Sequence, residues 1–157
     1  AVFLIRRLAP YFRNVGKRLI KAPKVYLRDS GLLHHLLNIS SHDELASHPS
    51  RGMSWEGFVL EDVLRRERVA RPEAQPYFWR TAAGAEIDLV IDRGATRIAV
   101  EFKAGHGANA RAIRALRDAM PDCRAARGWI VDQAAGIDRL SVDIARAGFA
   151  EVIDGTP

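Results

Sequence analysis

The chain has 157 residues, 48% of them hydrophobic, with a formal net charge of +5; that is enough for one globular core with a small appendage and too little for two large domains. No run comes near the roughly 18 apolar residues a membrane helix needs, and arginines break the opening AVFLIRRLAP too early for a signal-peptide core. A single cysteine, Cys123, excludes an internal disulfide and offers no second thiol for structural zinc, so a soluble, cytoplasmic protein is expected.

The positive charge lies at one end. Arg6, Arg7, Arg13, Lys17, Arg18, Lys21, Lys24 and Arg28 fall in the first 28 residues, which hold no Asp or Glu. Clustered Lys and Arg suit nucleic acid through counterion release, and an acidic partner domain equally well. The chain opens without methionine in an apolar segment, as expected of a fragment of something longer.

Residues 1–22 mix apolar and basic side chains and read as a short basic helical appendage that Pro23 ends. KVYL reads as a short strand, and Asp29 and Ser30 as caps of a brief helix through GLLHHLLNI. SSHDELASHPSRG is a polar connector, which places a boundary between an appendage over 1–50 and a main domain over 51–157. From Ser54, read as a cap, WEGFVLEDVLRRERV carries Trp55, Phe58, Val59, Leu60, Val63 and Leu64 at helical spacing. Glu56 falls near the middle of that apolar arc, where a carboxylate is costly unless paired or bound to metal. Glu61 falls on the opposite, solvated side.

QPYFWRT reads as a strand, with Tyr77 and Trp79 as core residues. GAEIDLVIDRGATRIAVEFKA comes next as a β-hairpin, then a glycine turn at Gly105 to Gly107, a helix through ANARAIRALRDAM and a strand at RGWIVD. The tail alternates weakly through RLSVDIARA and ends in a short strand near Glu151 to Ile153. Strand, strand, strand, helix, strand is an α/β pattern.

In the hairpin, Ile87, Leu89 and Ile91 alternate with Glu86, Asp88, Val90 and Asp92; Ile98, Val100 and Phe102 alternate with Arg97, Ala99, Glu101 and Lys103. Each strand therefore has one apolar and one polar face. A two-residue turn at Arg93 and Gly94 pairs residue 88 with 99, whereas a four-residue loop pairs 88 with 101. Both registers put Asp88, Glu101 and Lys103 on one face. Carboxylates about 5 to 8 Å apart can share a hard cation. Mg²⁺ needs only one or two of them and keeps several waters. Lys103 beside the pair would orient the attacking water and stabilise charge developing on phosphorus.

Longer stretches carry a resemblance: LAPYFRNVGKRLIKAPKVYLRDSGLLHHLLNI, HPSRGMSWEGFVLEDVL, PYFWRTAAGAEIDLVID and IAVEFKAG. Together they resemble the uncharacterised domain at the C-terminal end of a large family of prokaryotic AAA-type ATPases, a domain related to PD-(D/E)XK nucleases. The resemblance implies an α/β, restriction-endonuclease-like central mixed sheet flanked by helices. It also implies nuclease-motif roles for Asp88, Glu101 and Lys103, with Glu56 as the helix glutamate of WEGFV. The motif proline is absent, since Ile87 precedes Asp88. No G-x-x-x-x-G-K-[ST] occurs, so ATP binding is not expected of this chain.

His34, His35, His42, His48 and His106 lack a recurrent metal spacing. Arg111, Arg114 and Arg117 stripe one helix; the solvated face is the plain reading, and a phosphate-contact face the other. Lys17, Arg18, Lys21, Lys24, Arg111 and Arg114 are thus the candidate nucleic-acid contacts. The expected function is a nuclease-like domain of an ATPase-associated protein that hydrolyses DNA phosphodiesters, using Mg²⁺ or Mn²⁺ on Asp88 and Glu101. The alternative is a catalytically silent regulatory or nucleic-acid-binding module that partners an AAA-type ATPase domain in cis or in trans.

Overall fold

A computed structural model describes residues 3–11, 22–106 and 108–153. The first strand is the first departure from expectation: β1 (Ile5–Pro10) is extended, where the basic N-terminal appendage was expected to be helical. Its strand form arises from partners on both sides. β1 pairs antiparallel with β2 (Lys24–Leu27) and parallel with β3 (Gln75–Arg80), and Leu8 is fully buried against the core. Lys17, Arg18 and Lys21 lie outside the described residues.

Asp29 caps α1 (Ser30–Leu36), its carboxylate accepting the Leu32 N–H at 2.8 Å. The polar connector holds a further helix, α2 (His42–Ser47), opened by a reciprocal capping box between Ser41 and Glu44. α3 spans twenty residues, Arg51–Ala70. It begins one turn earlier than expected, which puts Ser54 inside the helix; its hydroxyl is 2.6 Å from His34 Nε2 and caps nothing.

The remaining elements are β4 (Glu86–Asp92), β5 (Arg97–Phe102), α4 (Ala110–Cys123), β6 (Arg127–Asp132), β7 (Ile137–Arg139), β8 (Ile144–Gly148) and α5 (Phe149–Ile153). α5 stands where a closing strand was expected. It turns Phe149 onto Trp55 and Phe58 of α3, with ring centroids 5.7 and 5.0 Å away, a contact that a strand continuing β8 would not make.

Among the described residues the strands form one mixed sheet of eight, in the order β2-β1-β3-β4-β5-β6-β8-β7. The central β3-β4-β5 meander is antiparallel, and β5, β6 and β8 run parallel. Helices cover both faces. Leu60 and Val63 of α3 pack against Phe78, Leu89, Ile91, Val100 and Phe102. Leu116 and Met120 of α4 pack against Trp79, Ile87, Val90, Ala99 and Ile130. The hairpin therefore has no solvated polar face; it lies at the centre of a sheet covered on both sides, which is why β4 is buried from Ile87 to Ile91.

Candidate functional site

The hairpin register is the four-residue one. Asp92 pairs with Arg97 and Leu89 with Val100, and the loop turns at Gly94, whose φ of +79° suits glycine. Beyond Leu89 the ladder opens. Tyr77 pairs with Val90 but Trp79 with Ile87, so Phe78 faces two residues, Asp88 and Leu89. Such a bulge adds a residue to one strand and re-aims the side chains beyond it. Ile87 consequently joins Val90 in the core under α4, while Leu89 stays under α3. This corrects the expectation that Ile87, Leu89 and Ile91 share a face.

The same bulge turns the Asp88 side chain to the gap between β4 and β5. Its Oδ2 accepts the Phe102 backbone N–H at 3.0 Å, and its Oδ1 lies 3.1 Å from Lys24 Nζ. Lys24 is the centre of the cluster. Its ammonium also bonds Glu56 Oε1 at 2.9 Å and Glu86 Oε1 at 2.5 Å, and sits 5.7 Å from the centroid of the Phe78 ring. Arg80 approaches the other Glu86 oxygen at 3.3 Å. Tyr26 donates its hydroxyl to Glu56, and glycine at position 57 lets the two elements close: a Cβ there would lie 3.3 Å from the Tyr26 ring.

Glu101 and Lys103 form the neighbouring pair, Nζ to Oε1 at 2.6 Å. The electrostatics join the two groups. Burial, and then the charges of Glu101 and Glu56, push the Asp88 carboxyl up to about 7 against the pull of Lys24 and the Phe102 N–H. Lys24 is held above its ordinary value: burial opposes the ammonium, but Asp88, Glu56 and Glu86 outweigh it. Lys103 is raised likewise, with Glu101 and Asp88 outweighing its burial.

Asp88, Glu101, Lys103 and Glu56 thus lie in one cluster. Lys24, expected among the nucleic-acid contacts, is instead committed to three carboxylates and is largely withdrawn from solvent. Arg111 and Arg114 are exposed on the outer side of α4, away from the Ala112 and Leu116 side that packs on the sheet. Glu61, expected to be solvated, is a clamp. Both its oxygens bond Arg6, at 2.5 and 2.9 Å, and Arg28 adds a third bond at 2.8 Å. These pairs hold its carboxyl low despite partial burial, and they tie β1 and the end of β2 to α3.

Sequence reasoning missed Lys24 as a cluster member, along with Glu86 and Tyr26. The one available signal was that Lys24 and Tyr26 fall within the resembling stretch KAPKVYLRDS. Their partners lie 30 to 64 residues further on, and no periodicity spans that distance.

Do these oxygens fit a divalent metal? Among the described residues no three His, Cys, Asp or Glu side chains are disposed to hold one. The space between Glu56, Glu86 and Asp88 holds an ammonium, the second Asp88 oxygen is used by the Phe102 N–H, and Glu101 Oε1 by Lys103. As arranged, the set fits a monocation and not Mg²⁺ or Mn²⁺, which require several oxygens and waters around one point.

Past the ends of β5 and β6 lies a cavity of about 490 Å³ lined by Trp55, Phe58, His34, His42, His106 and Gln133, among others; none of the cluster's side chains lines it. Among the described residues no helix is long and apolar enough to cross a membrane.

Comparison with known proteins gives similarity without an assigned activity. The chain is 40% identical over 128 residues to the uncharacterized protein Mb2031c of Mycobacterium bovis and to the uncharacterized protein Rv2008c of Mycobacterium tuberculosis. The match covers 82% of this chain and 28% of each relative. No solved structure matches. Residues 1–43 match one domain of unknown function (DUF8612) and residues 51–146 another (DUF4143), although β1 and β2 of the first stretch complete the sheet of the second. The chain belongs to the DUF4143 family, a domain of unknown function.

Proposed function

We propose that this chain is a PD-(D/E)XK nuclease-like module of an ATPase-associated protein, and that with Lys24 seated it is catalytically silent and serves a regulatory role toward an ATPase domain. The observation that carries the reading is the Lys24 ammonium bonded to Asp88, one of the two carboxylates expected to hold a metal, and at the same time to the helix glutamate Glu56 and to Glu86.

The nuclease-like part is supported by the central mixed sheet with helices on both faces, the acidic hairpin at its middle, and the helix glutamate beside it. The regulatory part is supported by how the basic residues are used. Of those described in the first 28 residues, Arg6 and Arg28 are spent on Glu61 and Lys24 on the cluster, so these three side chains are less available to phosphates. The relatives extend well beyond the matched region, which leaves room for an ATPase partner in cis.

A second reading, active phosphodiester hydrolysis, is favoured by one observation: Glu101 and Lys103 stay beside Asp88 in an order suited to handling an attacking water.

Incubating the purified chain with single- and double-stranded DNA and RNA, with and without Mn²⁺, separates the two. Cleavage no greater than that of Asp88→Ala and Lys103→Ala is expected. Metal-dependent cleavage that both substitutions abolish would overturn silence in favour of hydrolysis.

A further inference from the structure

We infer that Lys24 is a tethered cation standing where the nuclease-like site would take a divalent metal, so that the site excludes metal while Lys24 is seated and admits it once Lys24 leaves. This rests on the nuclease-like reading and adds a regulatory contact to it.

The geometry behind the inference is specific. One ammonium meets three carboxylates from two elements, Glu56 of α3 and Glu86 and Asp88 of β4, at 2.9, 2.5 and 3.1 Å. An ammonium has three protons to donate, so the three carboxylates saturate it. The Phe78 ring lies beneath it and further favours a cation. A lysine serving only to neutralise surface acids would keep its head in water, as long basic side chains do when they can.

Lys24 is also placed to leave. It is the first residue of β2, which among the described residues is the outermost strand of the sheet, with β1 on one side and no described strand on the other. Withdrawing it disturbs the end of an edge strand and leaves the hairpin that carries Asp88 and Glu101 in place. The acidic partners belong to the centre of the fold and the cation to its rim.

The two occupants compete for the same oxygens. Asp88 Oδ1, an oxygen that a metal on Asp88 and Glu101 would need, is bonded to Lys24 Nζ, as is Glu56 Oε1 beside it. Removing a unit positive charge a few ångströms from an incoming cation should tighten metal binding by at least about 100-fold, even at the moderate effective dielectric of a half-buried site.

The test is Mn²⁺ binding by isothermal titration calorimetry, with electron paramagnetic resonance of free Mn²⁺ as a second readout. Wild-type chain, Lys24→Met and Lys24→Met/Asp88→Asn are compared after circular dichroism and thermal melting have established that each is folded. Wild type is expected to show no site at millimolar Mn²⁺, Lys24→Met to gain one site, and the double variant to lose it. A wild-type site that Asp88→Asn removes would overturn the inference, as would a folded Lys24→Met chain that binds no Mn²⁺. Should Lys24→Met fail to fold, Glu86→Gln decides. It loosens the lysine while sparing Asp88, Glu56 and Glu101, so Mn²⁺ binding should strengthen although a carboxylate has been removed; unchanged or weaker binding would overturn the inference. Metal binding does not depend on whether the chain cleaves nucleic acid, so this result and the cleavage assay can fail separately.

Discussion

Asp88 and Phe102 are joined side chain to main chain: the buried carboxylate accepts the Phe102 N–H at 3.0 Å, where an unbroken antiparallel ladder would have used a carbonyl. The bulge opposite Phe78 creates the opening, and the carboxylate fills it. A charge so placed has few waters, and its protonation becomes part of the stability of the fold.

Folding stability should therefore fall as pH rises toward 8. The Asp88 carboxyl is raised from its ordinary 3.8 to about 7, chiefly by burial and then by Glu101 and Glu56. The folded state thus binds the proton more tightly than the unfolded chain does. The associated stability is fully present below pH 3.8 and is lost as pH rises through 7, by at most about 4 kcal/mol. Urea unfolding of wild type and Asp88→Asn between pH 5 and 8 checks this: the wild-type value should drop relative to the variant, and parallel curves would refute it.

Arg93, in the loop of the central hairpin, makes a two-point contact with Glu67 near the end of α3, at 2.7 and 2.6 Å, with both side chains largely buried. Removing Arg93 leaves the buried Glu67 carboxylate with only the longer contact to Arg71, at 3.7 Å. Arg93→Ala should cost on the order of 3 kcal/mol, while Glu67→Met/Arg93→Met should recover most of that loss. Chemical denaturation of the single and double variants measures it.

Arg146 on β8 is spent entirely on the chain's own acceptors. It bonds Asp132 at 2.9 Å and Asp138 at 2.8 Å, and the carbonyls of Ala134, Ala135 and Gly136 as well. Lysine would be the conservative replacement by charge alone, but one ammonium cannot span a fork of five acceptors. Arg146→Lys and Arg146→Met should each lower stability by roughly 3 to 5 kcal/mol, with little rescue by lysine. Thermal melts that place Arg146→Lys at the wild-type value would contradict this.

Two glycines in neighbouring strands should differ in tolerance. At Gly148 an added Cβ would run into the Ala134 carbonyl oxygen, a backbone atom that cannot swing aside. At Gly128 it would meet the Met120 sulfur at 2.8 Å, the end of a flexible side chain. Gly128→Ala should cost about 1 to 3 kcal/mol and still fold, whereas Gly148→Ala should lose more or fail to accumulate as soluble protein. Expression and melting of the two variants give the comparison.

Much of the local structure was legible because its signals are local. Asp29 caps α1 through a contact three residues away, and the alternation of EIDLVID and RIAVEF marks β4 and β5 without reference to anything else. Capping also explains a miss, since the Ser41 and Glu44 box that opens α2 sat inside a stretch read as a polar connector. β1 could not be read from its own residues. IRRLAP has no alternation to speak for it and becomes a strand because β2 and β3 pair with it.

By itself, then, the sequence determined the hairpin, the long helix that carries Glu56, and the acidic and basic residue types held in reserve between them. Only the tertiary structure decided what those residues face. The bulge that re-aims Asp88 is set by pairing with β3, the burial of both sheet faces by α3 and α4 together, and the seat of Lys24 by the arrival of an edge strand 64 residues away in the chain. Charges act through space with no regard for sequence separation, so a lysine read as a surface contact becomes the cation at the centre of the site.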